Sequence, residues 1–417
     1  MFEYFPENYV WSTAVNIALG NGGQMGEIDR ACRPARDAAA FGDDEKVRIL
    51  VDSWIAVADR VNASAEADAG QGRLISAGAK FRRASVYYAS AERMYGRGEA
   101  RAALYQKVLG SFRRFMECTG ACQRVEFPFG DTHLSALYVR ADNASPANPA
   151  PCVLEFDGFD IQKEIIYTTG MPEALSRRGL STLIVDHPGA GEALRLQGLT
   201  VDLKTERAAG AAIDYLETLP DVDSERIGML AMSMGGYYAP RATAFEPRIK
   251  ACVCWGGNYD WGEVQRERFR NSQASRPIPH FWEHFKWALG VETIEEGLKI
   301  ADQITLRGIL DRITVPILIT HGENDRQIPL KYAQMTYDDC VNSPRRELKI
   351  HTVDEGAAEH CGTDNTPLAV DTIADWVAEV LGGHLAPLAQ RQLEPAQNKV
   401  NQKLEAVPEC IFPVSAE

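Results

Sequence analysis

Apolar residues recur every three or four positions in several stretches of residues 1–122. This spacing places them on one face of a helix. It is seen in VRILVDSWIAV from Val47, in AGAKFRRASVYYASAERMY and in ARAALYQKVLGSFRRFM. Asp43 or Asp44 is available as the N-cap of the first stretch, and glycines at 70–72 and 96–98 mark turns. The pattern predicts an N-terminal helical segment over residues 1–122.

From Arg124 the hydrophobic period changes to two. RVEFPFG and THLSALYVR flank a Gly-Asp turn and predict a β-hairpin. Six short apolar runs then alternate with helical stretches: CVLEF, STLIVD, IGMLAM, IKACVCW, VPILIT and ELKIHTV. This alternation predicts an α/β fold with a mostly parallel central sheet and helices on both faces. Active sites of such sheets lie at the carboxyl ends of the strands.

The order of these helices and strands also predicts how the chain divides into domains. About 55 residues rich in aromatic and basic groups separate CVCWGG from VPILIT, more than a strand-to-helix loop needs, so we expect an inserted helical cap at about 256–312. Thr366 and Pro367 begin a last helix that ends at Gly382. The α/β domain is therefore expected to span residues 123–383. Residues 384–417, with weak periodicity, form a predicted C-terminal extension.

Charge, apolar run length and cysteine spacing exclude several classes of binding partner. The 417 residues carry a formal net charge of −14, which repels nucleic acid. No apolar run approaches the ~18 residues that a membrane span requires, and MFEYFPENYVWS has no signal-peptide pattern. The nine cysteines form no paired C-x-x-C array, which favours reduced thiols without a metal site. We expect a cytoplasmic protein without a cofactor, a membrane or a nucleic-acid partner.

Ser233 is the first residue with candidate chemistry. In RIGMLAMSMGGYYAPRA an apolar strand runs into Ser233 within an A-x-S-x-G pattern. A strand that turns directly into a helix at such a serine forms a strained corner that exposes the hydroxyl. Ala231 stands where the usual pattern has glycine, and a methyl group is the smallest possible change. The alternative interpretation is that small residues merely let a helix pack near a strand.

A serine hydroxyl becomes a nucleophile when a histidine accepts its proton and a carboxylate orients that histidine. Asp325 follows the apolar strand in VPILITHGENDRQIP, and His360 lies in HTVDEGAAEHCGTDN, between the next strand and the last helix. The chain order Ser, Asp, His is that of α/β-hydrolases. The sequence therefore predicts a triad of Ser233, Asp325 and His360.

Other residues complete or compete with this assignment. Asp260, after another strand, is the alternative acid. Four other histidines are expected to pack or to belong to the cap: His321, His351, His280 and His284. An oxyanion needs two backbone N–H donors, for which we predict Met234, next to the nucleophile, and Phe159, in DGFDIQKE. VDHPGAGEA, a Gly-rich corner without the Lys-Ser/Thr of a P-loop, is interpreted as structural.

Five stretches together resemble one known family: LEFDGFDIQKE, VDHPGAGEA, GMLAMSMGGYYAPRA, VPILITHGENDRQIP and AAEHCGTDN. They are similar to the α/β-hydrolases that include 2,6-dihydroxypseudooxynicotine hydrolase and fungal yellowish-green pigment (heptaketide) hydrolases. AGAKFRRASVYYASAERM extends the resemblance, which covers roughly residues 70–382. It implies the α/β-hydrolase fold, the triad named above, N-terminal helices and a cap over the site, and a homodimer. It also implies an auxiliary acid near the triad, for which Asp260 and Glu263 are candidates.

By this resemblance, the serine attacks a ketone or ester carbonyl of a polyketide-like or aromatic small molecule and forms an acyl-enzyme. Cleavage of a C–C, ester or thioester bond follows. One alternative is acyl transfer that closes a lactone from a polyketide thioester, including one bound to a carrier protein. Another is a non-catalytic binding protein on the same fold. FWEHFKW and YYAS offer aromatic surface for a flat substrate, although such residues also fill cores.

Overall fold

The computed structural model describes residues 1–271 and 275–383. The predicted C-terminal extension at 384–417 lies outside the described residues. Five α-helices precede the first strand, as the apolar spacing predicts, and a 3-10 helix at Arg33–Phe41 lies among them. The five are α1 (Tyr9–Gly20), α2 (Met25–Cys32), α3 (Val47–Gly70), α4 (Leu74–Arg93) and α5 (Glu99–Thr119).

The start of α3 differs from the sequence prediction. Its N-cap position is Lys46, whose φ of 57° is left-handed and whose side chain makes no capping hydrogen bond. Neither predicted cap, Asp43 or Asp44, has a side-chain hydrogen bond to the first turn of α3 among the described residues. Their carboxylates instead accept hydrogen bonds from Arg276, at 2.8 and 3.4 Å. The N-cap prediction is therefore wrong, and the two aspartates tie the helical segment to the inserted region.

The described residues contain one sheet of eight strands in the order β1-β2-β4-β3-β5-β6-β7-β8. β2 pairs antiparallel with β1 and β4, and every other neighbouring pair is parallel, which confirms the predicted mostly parallel sheet. The strands are β1 (Gln123–Phe129), β2 (Thr132–Val139), β3 (Ala150–Phe156), β4 (Ser181–Val185), β5 (Val222–Met232), β6 (Ile249–Trp255), β7 (Ile317–Gly322) and β8 (Arg346–His351).

Helices cover both faces of this sheet. The α-helices that follow the first two strands are α6 (Lys163–Thr168), α7 (Met171–Arg177), α8 (Gly191–Arg195), α9 (Thr205–Leu216), α10 (Gly235–Phe245), α11 (Trp261–Arg270), α12 (Phe281–Leu289), α13 (Ile294–Ala301), α14 (Lys331–Asp339) and α15 (Thr366–Leu381), with 3-10 turns at Leu310–Arg312 and His360–Gly362. Leu154 of β3 packs in the core with α9 and α10, whereas Val153 packs with α7 and α15. The chain leaves β3 for β4 on one side and returns to β5 on the other, so a crevice opens at the carboxyl ends of β3 and β5.

Residues 186–192, interpreted from the sequence as structural, form part of a buried ion cluster. The ammonium of Lys163 lies 2.7 Å from Asp186, 2.5 Å from Glu192 and 2.9 Å from Glu164, and all four side chains are at most 5% exposed. A buried carboxylate is tolerated when a cation and hydrogen bonds compensate its lost hydration. Lys163 supplies that cation for three of them.

Lys163→Met is therefore expected to lower the free energy of unfolding by about 3–5 kcal/mol, since it leaves buried carboxylates without their cation. Urea unfolding followed by circular dichroism measures the loss. Lys331→Met is the control, because Lys331 makes an exposed ion pair with Glu263 and its removal should cost less than about 1 kcal/mol. Equal losses in the two variants would contradict this account of the cluster.

Candidate active site

Ser233 occupies a strained corner between β5 and α10. Its φ is 62°, a left-handed conformation that side-chain-bearing residues rarely adopt, and its backbone N–H donates to Trp255 O at 2.8 Å. A Cβ on Gly236 would lie 1.9 Å from a backbone oxygen, and one on Gly235 would lie 2.5 Å from the methyl of Ala231. The small residues are thus required by close backbone approach, and the methyl of Ala231 is accommodated.

Ser233, His360 and Asp325 come together in one line of hydrogen bonds, although 127 and 35 positions separate them in the chain. Ser233 Oγ lies 2.8 Å from His360 Nε2. His360 Nδ1 lies 2.8 Å from Asp325 Oδ2. The other carboxylate oxygen accepts from the backbone N–H groups of Gln327 and Ile328, which fix its orientation. The sequence prediction placed these three groups at strand ends, where the structure has them.

Electrostatics couple the histidine to the carboxylate. Burial disfavours the charged imidazolium, but the attraction of Asp325 outweighs it and raises the pKa of His360 well above its ordinary value. Burial likewise disfavours the carboxylate, yet His360 reverses the effect and lowers the pKa of Asp325. In this pair the aspartate stays ionised while the histidine exchanges a proton, which is the arrangement needed to take a proton from a hydroxyl.

A pH dependence follows from the direction of that shift. The neutral imidazole is the form that accepts the Ser233 proton, so acylation is lost as the pH falls through the raised pKa of His360. We expect the acidic limb of kcat/KM to have its midpoint above 6.5, the ordinary histidine value. Initial rates with a neutral ester between pH 5 and 10 measure it. A midpoint at or below the ordinary value would contradict the coupling.

The two predicted oxyanion donors lie in the chain segments beside Ser233. Neither the Met234 N–H nor the Phe159 N–H has a hydrogen-bond acceptor among the described residues. The loop that carries Phe159 passes close to the serine, since a Cβ on Gly158 would lie 3.2 Å from Ser233 Cβ. The carbonyl of Phe159 lies 3.1 Å from His284 Nε2, so a cap histidine holds this peptide. Both assignments remain predictions.

Asp260 and Glu263, the candidates for an auxiliary acid, bind cations away from the serine. Asp260 caps α11 by accepting from the Glu263 N–H at 2.9 Å and pairs with Arg307 at 3.0 Å. Glu263 pairs with Lys331 at 2.8 Å. Neither residue lines the cavity at Ser233. The structure therefore does not bring them to the triad, and Asp325, not Asp260, contacts His360.

The cavity that contains Ser233 is lined largely by residues that the sequence analysis missed. Helices α1 and α4 cover it from the N-terminal segment, and the inserted region contributes one proline. The lining residues are Thr13, Ile17, Asn21, Arg93, Gly158, Asp160, Ile161, Ile165, Thr169, Met232, Ser233, Trp255, Pro277, Gln327, His360, Cys361, Thr363 and Thr366. No local motif marks α1, which lies more than 200 positions before Ser233. Met232, next to the serine, is also in this wall.

The aromatic stretches proposed for substrate contact fill cores instead. Phe281 and Phe285 of FWEHFKW are buried and pack with Phe159 and Trp261. Tyr87 of YYAS is buried against Trp54. These contacts occupy their aromatic surface, and neither stretch contributes a residue to the cavity wall, in which Trp255 is the aromatic residue. Cys361 is a cysteine that contacts the hydrogen-bonded line, since its Sγ lies 3.7 Å from His360 Nε2.

Within 1–271 and 275–383, no group of three or more His, Cys, Asp or Glu side chains is arranged to hold a metal ion. No helix of the described chain is both long and apolar enough to cross a membrane.

A comparison with known proteins shows the family to which the chain belongs. The FrsA-like esterase family matches residues 53–376, most of the chain. The chain belongs to this family. The match includes all three residues of the hydrogen-bonded line. Members of an esterase family are enzymes, so the chain is an enzyme of the α/β-hydrolase type.

Relatives and solved structures agree with that assignment. The chain is 28% identical to 2,6-dihydropseudooxynicotine hydrolase of Paenarthrobacter nicotinovorans over 84% of this chain and 90% of the relative. It is 34% identical to the 20-hydroxy-prefusarin hydrolase of Gibberella moniliformis over 44% of this chain and 50% of the relative. A crystal structure of 2,6-dihydroxy-pseudo-oxynicotine hydrolase superimposes with a TM-score of 0.72 at 23% identity, covering 89% of this chain and 97% of that one. These findings confirm the predicted family resemblance and the α/β-hydrolase fold.

Proposed function

We propose that this esterase-family member is a serine hydrolase that cleaves a polyketide-like or aromatic ketone or ester through an acyl-enzyme on Ser233. The observation that carries the proposal is the hydrogen-bonded line from Ser233 through His360 to Asp325, with two 2.8 Å links. The names of the relatives, hydrolases of a pseudooxynicotine and of a prefusarin, support the substrate class.

In the first half-reaction His360 Nε2 takes the proton of Ser233 as Oγ attacks the carbonyl carbon. The oxyanion that forms accepts hydrogen bonds from the N–H groups of Met234 and Phe159. The bond to the leaving group then breaks, and the leaving group takes the proton from His360. When the substrate is a 1,3-diketone, the leaving group is a resonance-stabilised enolate, so the same triad cleaves a C–C bond.

In the second half-reaction a nucleophile releases the acyl group from Ser233. Water gives a carboxylic acid. A hydroxyl group of the same molecule gives a lactone, and a covered site favours that path because it limits access of water. His360 is only 8% exposed and α1 contributes to the cover, so lactone formation is the second candidate.

The test is incubation with aromatic and polyketide-like esters, thioesters and 1,3-diketones, followed by product masses. Hydrolysis adds one water to the sum of the product masses, C–C cleavage divides a diketone into an acid and a ketone, and lactone closure adds no water. A fluorophosphonate probe should label Ser233 in the folded protein and block turnover. A protein that turns over none of these compounds and is not labelled would be a binding protein and would refute the proposal.

A further inference from the structure

Arg93 is a buried cation in the wall of the cavity that contains Ser233. Its side chain is 7% exposed. Nε and Nη2 both donate to one carboxylate oxygen of Asp160, at 3.1 and 2.6 Å. Nη1 has no hydrogen-bond partner among the described residues. A guanidinium N–H without an acceptor costs free energy unless a ligand or water satisfies it. Nη1 is not among the described side-chain atoms that are both enclosed and unpartnered, so an acceptor in the cavity that Arg93 lines can reach it.

The groups hydrogen-bonded around Arg93 carry an excess of positive charge. They are three guanidiniums and two carboxylates: Arg93, Arg101 and Arg195 with Asp160 and Glu92. Burial opposes ionisation of Glu92, but its two arginines prevail and lower its pKa to about 2. Burial and the same arginines lower the pKa of the adjacent His284 to about 3, so it is neutral. The cluster thus has one cation more than it has anions.

A second buried guanidinium, that of Arg268, holds a residue of the cavity wall. Arg268 donates to the backbone oxygens of Ser275 and Gln327 and to the side chain of Gln265, all neutral acceptors, and forms no ion pair with a described residue. Burial lowers its pKa to about 10, which still leaves it charged at neutral pH. Gln327, which it holds, lines the cavity. Of these two buried guanidiniums, that of Arg93 lies in the cavity wall and that of Arg268 is one hydrogen bond from it, through Gln327.

We propose that Nη1 of Arg93 binds an anionic oxygen of the substrate, a carboxylate or the enolate of a 1,3-dicarbonyl, and thereby selects which molecules reach Ser233. This inference rests on the proposed function. Charge-assisted hydrogen bonds to oxygen anions are among the strong ones, and a guanidinium held by Asp160 is already oriented for them. Arg93 is a specificity-determining residue in this account, and Asp160 is the residue that positions it.

The test compares matched substrate pairs in wild type, Arg93→Met and Arg93→Lys. The carboxylate pair is mono-4-nitrophenyl glutarate against 4-nitrophenyl butyrate. The enolate pair is 1-phenylbutane-1,3-dione against its 2,2-dimethyl derivative, which cannot enolise. Wild type should prefer the anionic member of at least one pair, and Arg93→Met should lower that ratio of kcat/KM about 10- to 100-fold. Arg93→Lys should restore part of it, and the pair that responds identifies the source of the oxygen.

A purely structural role of Arg93, as a tie between α4 and the loop of Asp160, would lower both members of a pair equally. Arg241→Met is the matched control, because it breaks a partly buried ion pair with Glu206 outside both the cluster and the cavity and should leave the ratio unchanged. A wild type without preference, or a preference that survives in Arg93→Met, overturns the inference. Ser233→Ala distinguishes a failure of the proposed function from a failure of the role of Arg93. Turnover by that variant refutes the proposed function. Loss of turnover in that variant, together with an unchanged substrate ratio in Arg93→Met, refutes only the role of Arg93.

Discussion

Ser233→Ala is expected to lower kcat by about 10⁴-fold or more, the size of loss seen when the nucleophile of a serine hydrolase is removed. The variant keeps the backbone and loses only Oγ, the atom 2.8 Å from His360 Nε2. No acyl-enzyme can then form, and what remains is the contribution of binding and of the oxyanion donors. Steady-state hydrolysis of a 4-nitrophenyl ester, with fluorophosphonate labelling of the same samples, measures both effects.

The control is a buried serine outside the cavity. Ser176 of α7 donates to Asp142 at 2.8 Å and does not line the cavity, so Ser176→Ala should change kcat less than about twofold while losing some stability. Circular dichroism should show native helix content in both variants. Full turnover by Ser233→Ala would exclude the serine mechanism, whatever the identity of the substrate.

The sequence predicts the strand ends of this site because the signals there are local. A strand followed by A-x-S-x-G dictates a corner, and the space around Ser233 admits only small neighbours. Asp325 and His360 each follow a strand of a parallel sheet, and such strand ends meet at one edge. Topology then brings the three side chains within hydrogen-bond distance without any further long-range information.

The rest of the cavity depends on contacts that no local pattern encodes. Arg93 pairs with Asp160 across 67 positions, and Thr13 of α1 reaches a cavity whose serine directly follows β5. Helical periodicity predicts that α1 and α4 bury one face, but not which domain that face covers. The aromatic stretch FWEHFKW shows the same limit: its composition suits either a substrate or a core, and only its packing around Phe159 decides for the core.

Asp325→Asn is expected to lower kcat about 10⁴-fold, because the amide holds His360 in the wrong tautomer and no longer stabilises its charge. The same substitution removes the attraction that raises the pKa of His360, so the midpoint of any residual acidic limb should move to lower pH. Asp260→Asn tests the alternative acid: asparagine still caps α11, so kcat should change less than about threefold. A pH profile and kcat for both variants decide whether Asp325 or Asp260 is the acid. A large loss of kcat confined to Asp260→Asn would show that Asp260 is the acid and would contradict the assignment of Asp325.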